Sequence, residues 1–515
     1  MIKCKSVFLS LLLVFVLGFG SVAQAGNKVY IKKVEVIGNL VLSQKEIQRV
    51  VSKYEKRSLT FAQMKQIANK LTELYHKRGY ILNKAYIPPQ SLSVHILKVY
   101  VVNAKVGKVV ITGKHKYYSD RFIKKYFEPL LEDKAFNQKD LERAVLLLNE
   151  YPKLKVKVNL KKGEKPGTTD LMVAANNSLP VGVILEANNF GSKYTSKDRY
   201  GATFNIGNFG IPGSMLSLRG VMGTPYQDMH FGRVSYDVPI GVKGFRLGAY
   251  YSRGNYDVGE DLEVLDIKGK SHAYGIYASY PFIKEVTKSL TGRAGLDIIY
   301  AKQTMLGETT SEDKIRTLDL GIDYTFMTAY SKNLLSFEIT QGLGRFLGGM
   351  GDNYEYASRV GADSSFTKFN IMLMRFQKLT DSIFLLLKLE GQYSPDNLVS
   401  YEQFYIGGAN SVRGYTQSEY GGDTGYAATA ELRISPLSDK KLLQLAFFID
   451  NGHIHVNDSV PGQKSSRTLT GIGTGVRLSL PYNFNIRADV GFPINPSTNM
   501  DGHGVAFYLQ ATKTF

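Results

Sequence analysis

The feature that most constrains this chain is a period of two along its last segments. Apolar side chains recur at Val505, Phe507, Leu509, Ala511 and Phe515, with Lys513 interrupting the series. The same alternation runs through residues 292–300. Ala294, Leu296, Ile298 and Tyr300 share one face, and Arg293, Gly295, Asp297 and Ile299 share the other. Between 272 and 280 one face carries His272, Tyr274, Ile276, Ala278 and Tyr280. Successive side chains of a strand point to opposite faces. An apolar outer face over a mostly polar inner one suits a barrel closed in lipid, where no strand edge is left unpaired. Residues 177–515 hold about sixteen strands of about ten residues, the even count of bacterial barrels. The 33 Tyr and 27 Phe can form the interface girdles in a chain without Trp. A soluble β-sandwich, the alternative, uses more and shorter strands.

The start of the chain agrees. Lys3 and Lys5 precede an apolar run over residues 7–22, and Ala23-Gln24-Ala25 follows as a small-x-small cleavage site. This predicts a secretory signal peptide over 1–25. No later segment is apolar over the roughly 18 residues of a membrane helix. Cys4 is the only cysteine, so the mature chain is expected to lack disulfides, cysteine metal ligands and cysteine nucleophiles. The formal net charge of +19 is uneven. Residues 26–176 hold 30 Lys and Arg against 13 Asp and Glu, whereas 177–515 hold 32 of each sign. A basic front half after export points away from nucleic acid. It points to acidic protein, lipid phosphate or a plainly solvated lysine surface.

The front half is duplicated. Val34-Glu35-Val36-Ile37-Gly38-Asn39 recurs as Val109-Val110-Ile111-Thr112-Gly113-Lys114. In the first copy, Ser43 and Glu46 have capping-box spacing and open a helix to about residue 54. Thr60 opens a second helix with Met64, Ile67, Leu71, Leu74 and Tyr75 on one face, ended by Gly79. Strands are expected near 80–87 and 93–102. The second copy predicts helices near 119–131 and 138–150, then strands near 153–160 and 169–175. The order β-α-α-β-β thus occurs twice. Each copy offers a small sheet whose edges can take up an extended chain.

Two motifs carry a family resemblance. Gly407-Gly408-Ala409-Asn410-Ser411-Val412-Arg413-Gly414-Tyr415 resembles the Val-Arg-Gly-Phe/Tyr loop of the outer-membrane assembly and secretion superfamily. The duplicated front half looks like two polypeptide-transport-associated (POTRA) domains. Within the first, Arg78-Gly79-Tyr80-Ile81 and Tyr86-Ile87-Pro88-Pro89-Gln90 resemble the POTRA domain of two-partner secretion transporters, the haemolysin secretion/activation family. Pro88 and Pro89 lack amide donors and so end a strand. The alternating last strand ending in Phe515 is similar to the terminal signal of outer-membrane barrels, from which Lys513 departs.

The resemblance implies an α+β front of POTRA 1 (26–103) and POTRA 2 (104–176), then a transmembrane antiparallel β-barrel (177–515). It implies that the loop over 397–425, between strands eleven and twelve, folds back into the lumen. Its Val412, Arg413, Gly414 and Tyr415 would gate the pore, with Arg413 locked to Asp450. Gly79, Tyr80, Pro88, Pro89 and Gln90 would be the POTRA signature. The implied function is an outer-membrane pore that takes an unfolded exoprotein from the periplasm to the cell surface. The client would be a large β-helical adhesin or haemolysin, and outer-membrane lipid the surroundings. An insertase assembling outer-membrane proteins is the alternative, and a passive porin leaves the duplicated front unexplained. Family members commonly carry a plug helix before the first POTRA domain. Cleavage after Ala25 would leave only Gly26-Asn27-Lys28-Val29 there, so no plug is expected.

No cofactor or metal is expected. His453 and His455 share one side of an extended segment but lack a third ligand. Gly342-Leu343-Gly344 and Gly471-Ile472-Gly473-Thr474-Gly475 open no helix, so they do not read as phosphate loops. No catalytic constellation stands out.

Overall fold

A computed structural model describes residues 28–132, 134–225, 228–460, 462–495 and 504–515. The expected signal peptide lies outside the described residues. The chain forms two compact units, one reaching Lys105 and including Lys134–Asn137, the other holding the rest.

In the first unit, Ser43 and Thr60 both make complete capping boxes, and the helices run Gln44–Val51 and Phe61–Lys77. Their inner faces pack Ile47, Met64, Ile67, Leu71 and Tyr75 against a three-stranded sheet. Ile96–Val102 is its central strand, flanked by Lys33–Ile37 in parallel and Lys84–Tyr86 antiparallel. Two three-residue strands, Val29–Ile31 and Arg57–Leu59, pair as a separate ribbon that the sequence pattern does not announce. Gly79 ends the long helix at φ +93°, and Tyr80 packs on the core. The strand expected over 80–87 shrinks to Lys84–Tyr86, because residues 80–83 form a turn closed by the Asn83 amide on the Tyr80 carbonyl, and Pro88 and Pro89 cannot extend the ladder beyond it. Gln90 then replaces the missing rung. Its side-chain amide donates to the Lys98 carbonyl at 2.8 Å and accepts from the Lys98 amide at 2.9 Å. The signature residues therefore shape this edge of the sheet.

The second copy has the same plan and belongs to the unit that holds the barrel. Thr168–Asn177 lies between Lys105–Thr112 and Leu154–Lys162. The helix expected over 119–131 is broken into Asp120–Lys125 and Glu128–Leu131, with Pro129 in the first turn of the second piece. Helix Gln138–Leu148 sits on the barrel rim. Arg143 donates to the Lys243 carbonyl at 2.8 Å and to the Pro281 carbonyl at 2.6 Å. Lys284 pairs with Glu150, and Asn208 donates to the Tyr117 carbonyl at 2.9 Å. Tyr151 stacks beneath Arg246 and shares a hydrogen bond with Tyr126. Burial pushes both hydroxyls above the ordinary tyrosine range.

Among the described residues sixteen antiparallel strands close the barrel, the first being Val181–Asn188 and the last Ala506–Thr514. Leu318, Leu320 and Ile322 of the eighth strand, Glu308–Met327, are exposed on the outside, and Asp319 and Asp323 alternate with them inside. The sixth to eighth strands run 17, 18 and 20 residues, well beyond the 9–11 that cross a bilayer, so they project past it. Lys513 reaches the rim, where its ammonium donates to the Tyr482 carbonyl at 2.5 Å. Snorkelling thus accommodates the one charge in the terminal apolar series.

The lumen is not simply polar and wet, as the alternation alone implies. Residues 343–366 and 394–423 fold into its outer half. Ile299 and Ile315 of the wall bury against Met350, Phe366, Leu398 and Val399 of those segments.

Candidate functional site: the inward loop and its arginine

The eleventh strand, Ile383–Tyr393, pairs with the twelfth, Thr424–Ile434, and the segment between them turns inward. Its stem is a short hairpin of Phe404–Ile406 with Tyr420–Gly422. Val412 at the tip is fully buried among Ile406, Ala427, Ile454 and Leu469. This apolar anchor holds the backbone in place before any charge is counted.

Arg413 is 3% exposed. Its Nε and Nη2 donate to the two oxygens of Asp450 at 2.7 and 2.9 Å, and its backbone amide adds a third bond at 3.1 Å. Nη1 donates to Glu431 at 2.6 Å, and Asp489 lies 3.5 Å away. The guanidinium covers the Phe448 ring, 3.3 Å from its centroid. A rigid planar fork fits a carboxylate and an aromatic face together in a way that an ammonium cannot. Asp450 comes from the thirteenth strand, Leu443–His455, Glu431 from the twelfth and Asp489 from the fifteenth, Phe484–Pro493. Arg477 of the fourteenth strand, Ser466–Leu480, bridges Glu431 at 3.0 Å and Asp489 at 2.6 Å. Arg433 and Arg487 complete the set, each 2.7 Å from its carboxylate. Four guanidinium groups therefore share three buried carboxylates, which compensates every buried anion.

The wall is dented to receive the loop. A Cβ on Gly471 would lie 1.8 Å from the Arg413 carbonyl oxygen, and one on Gly491 would lie 2.6 Å from the Gly414 nitrogen. Gly414 adopts φ +105° and presses on the Phe492–Pro493 backbone. The Tyr415 hydroxyl lies 2.8 Å from the carbonyl oxygens of both Thr470 and Asn495, between which it shares its one proton. Tyr508 of the last strand donates to the Tyr415 carbonyl at 2.6 Å and accepts from the Gly414 amide at 3.1 Å. The loop tip is thus fastened to the twelfth through sixteenth strands.

A second clasp sits nearer the outer opening. Asp423 is fully buried and accepts from the Leu398 and Asn457 amides at 2.9 and 2.7 Å. Arg359, from the 343–366 segment, pairs with Asp423 and also donates to the Asn457 carbonyl. The two inward segments are joined there.

Sequence reasoning named Val412, Arg413, Gly414, Tyr415 and Asp450, and the fold brings these five together. It did not single out Glu431, Asp489, Arg477 and Tyr508. Their only signal is membership of the inward-facing parity on strands twelve to sixteen. Gly471 lies within the fourteenth strand, and nothing in the sequence marks its contact with Arg413. His453 and His455 bond Thr468 and Ser466 at 2.8 and 3.1 Å. Among the described residues no group of three or more His, Cys, Asp or Glu is placed to hold a metal.

Comparison with known proteins places these features. Residues 167–478 match the family described as haemolysin secretion/activation protein ShlB/FhaC/HecB. Residues 29–104 match the ShlB-type POTRA domain. The heme/hemopexin transporter protein HuxB of Haemophilus influenzae is 24% identical over 95% of this chain and 88% of its own length. The outer membrane transporter CdiB of Dickeya dadantii is 24% identical over 88% of this chain and 81% of its own. The solved structure of CdiB from Escherichia coli superposes with a TM-score of 0.84 at 20% identity, covering 97% of this chain and 93% of that one. BamA from Haemophilus ducreyi lacking POTRA domains 1–3 gives 0.55 at 14% identity, over 95% and 100%.

Proposed function

We propose that this chain, which belongs to the haemolysin secretion/activation protein family, passes its client through the barrel by shifting the Arg413 loop. It is an outer-membrane transporter of two-partner secretion, with its POTRA domains in the periplasm and a secreted exoprotein as partner. The matches over both the barrel and the first POTRA domain favour secretion over the insertase reading.

The observation that carries the gating mechanism is the buried clasp of Arg413 on Asp450 and Glu431. A loop held by side-chain and backbone contacts to the inner wall and to the 343–366 segment, outside the barrel's strand ladder, can leave and return without unfolding the barrel. Capture comes first. The sheet edges Lys33–Ile37, Lys84–Tyr86, Lys105–Thr112 and Leu154–Lys162 offer main-chain groups to an extended segment, and the surrounding lysines attract acidic ones. The chain then threads the lumen as the inward loop yields. Folding of the client outside supplies direction, and a large β-helical adhesin or haemolysin fits that requirement. Outer-membrane lipid surrounds the exposed apolar faces of the strands.

Arg413→Ala tests the gate. The variant is expected to assemble, shown by heat-modifiable mobility in gel electrophoresis, yet to release no client to the medium. Normal export by an assembled Arg413→Ala protein would falsify the gating role.

A further inference from the structure

The wall across the closing seam from the Arg413 cluster carries a different kind of charge. Tyr200, Leu218 and Val234 are exposed on the outer face of the second, third and fourth strands, Asp198–Gly207, Met215–Thr224 and Met229–Ile240. By the same alternation Arg199, Arg219 and Arg233 face the lumen. Unlike the four arginines of the Arg413 cluster, these share a single close carboxylate. Arg219 pairs with Glu186 at 2.6 Å. Arg233 makes no ion pair within 4.0 Å among the described residues, with Asp297 as a more distant opposite charge, and lies 3.8 Å over the Tyr250 ring. The Nε of Arg199 is buried without any hydrogen-bond partner. Arg219 and Arg233 are direct cross-strand neighbours, a placement of like charges that destabilises a sheet unless something else offsets it.

The three line one cavity of about 470 Å³, together with Glu186 and with Asn410 and Gln417 of the inward loop. Three guanidinium groups therefore meet one lining carboxylate in a cavity that opens to the lumen, and the Nε of one of them is buried without a partner. Such a space is complementary to an anion, and guanidinium forks match oxyanions in particular. We infer that this cavity is a carboxylate-binding station, occupied in transit by an acidic side chain of the translocating client. The inference rests on the reading that a client crosses this lumen. Its place beside Asn410 and Gln417 puts the station next to the loop that must yield, so occupancy and loop position are linked through shared contacts.

The test uses the full mature chain in detergent micelles and fluorescein-labelled hexaglutamate, read by fluorescence anisotropy. Hexalysine and inorganic sulfate serve as comparisons. Hexaglutamate is expected to bind in a salt-sensitive way and hexalysine not at all. The triple variant R199Q/R219Q/R233Q, which keeps bulk and hydrogen-bonding capacity, is expected to bind at least about tenfold more weakly, since charge-assisted bonds are the strong ones. R233Q alone, at an exposed position, is a second variant that leaves the barrel fold undisturbed. Equal binding to wild type and both variants, or no binding to wild type, overturns the site. Displacement by sulfate as effective as unlabelled hexaglutamate identifies a small-anion site and overturns the assignment to a polypeptide. Lost peptide binding with undiminished client secretion overturns its part in transit while leaving the transport function standing.

Discussion

Replacing Arg413 by alanine strikes one carboxylate harder than the others. Glu431 keeps Arg433 at 2.7 Å and Arg477 at 3.0 Å, and Asp489 keeps Arg477 and Arg487 at 2.6 and 2.7 Å. Asp450, fully buried, loses both side-chain bonds and retains only the backbone amide of residue 413 at 3.1 Å. Leaving one member of a buried ion pair uncompensated costs about 3–5 kcal/mol. At about 1.4 kcal/mol per tenfold, the docked loop loses a factor of about 10² to 10⁴ against undocked forms. The barrel ladder contains no bond to Arg413, so the loss falls on the loop. Hydrogen exchange over residues 407–419 and single-channel recording in planar bilayers read it directly. Exchange should quicken and openings become longer or larger. The double variant R413A/D450N removes the stranded charge and should recover much of the lost protection, whereas R413K keeps a charge but not the fork and should fall between. If R413A matched wild type in both measurements, or if R413A/D450N were no better protected than R413A, the electrostatic account of the clasp would be wrong.

Gly471→Ala leaves every charge in place but puts a Cβ 1.8 Å from the Arg413 carbonyl oxygen, so its channel traces should resemble those of R413A. Gly220→Ala, with open space at its Cβ, is the control and should record as wild type. Arg359→Ala should loosen residues 343–366 by about 1–3 kcal/mol, less than the Arg413 effect, because Asp423 keeps two backbone donors. Faster hydrogen exchange confined to 343–366 and 394–423 is the expected readout. Arg143→Ala removes two bonds from the rim, and exchange in helix Gln138–Leu148 should rise while the barrel's heat-modifiable mobility stays unchanged.

Much of this molecule is local and therefore legible along the chain. Alternation at 272–280 and 292–300 sorts lipid-facing from lumen-facing residues, because a strand's period is two whatever it pairs with. The capping boxes at Ser43 and Thr60 mark helix starts, because their donors and acceptors lie within one turn. The eleventh strand falls at 383–393, bounded by turn residues on either side. The resemblance of residues 407–415 to a known loop pointed to Arg413 and Asp450 as a pair. Three things lay beyond reach. An inward Glu431, Asp489 or Arg477 looks like any other lumenal charge. Only the register of strands twelve to fifteen sets them around one guanidinium. Gly471 and Gly491 look like ordinary strand glycines until a loop from elsewhere in the chain arrives against them. Residues 343–366 carry no periodicity that says whether they fold inward. That choice is made by Ile299 and Ile315 of the wall and by Leu398 and Val399 of the other inward segment, two sets far apart in sequence that meet only when the barrel has closed. The sequence by itself determined which residues face which way and where most of the strands and helices form. The tertiary structure alone decided which charges converge and what fills the lumen, because both depend on contacts between residues that only closure brings within a few ångströms.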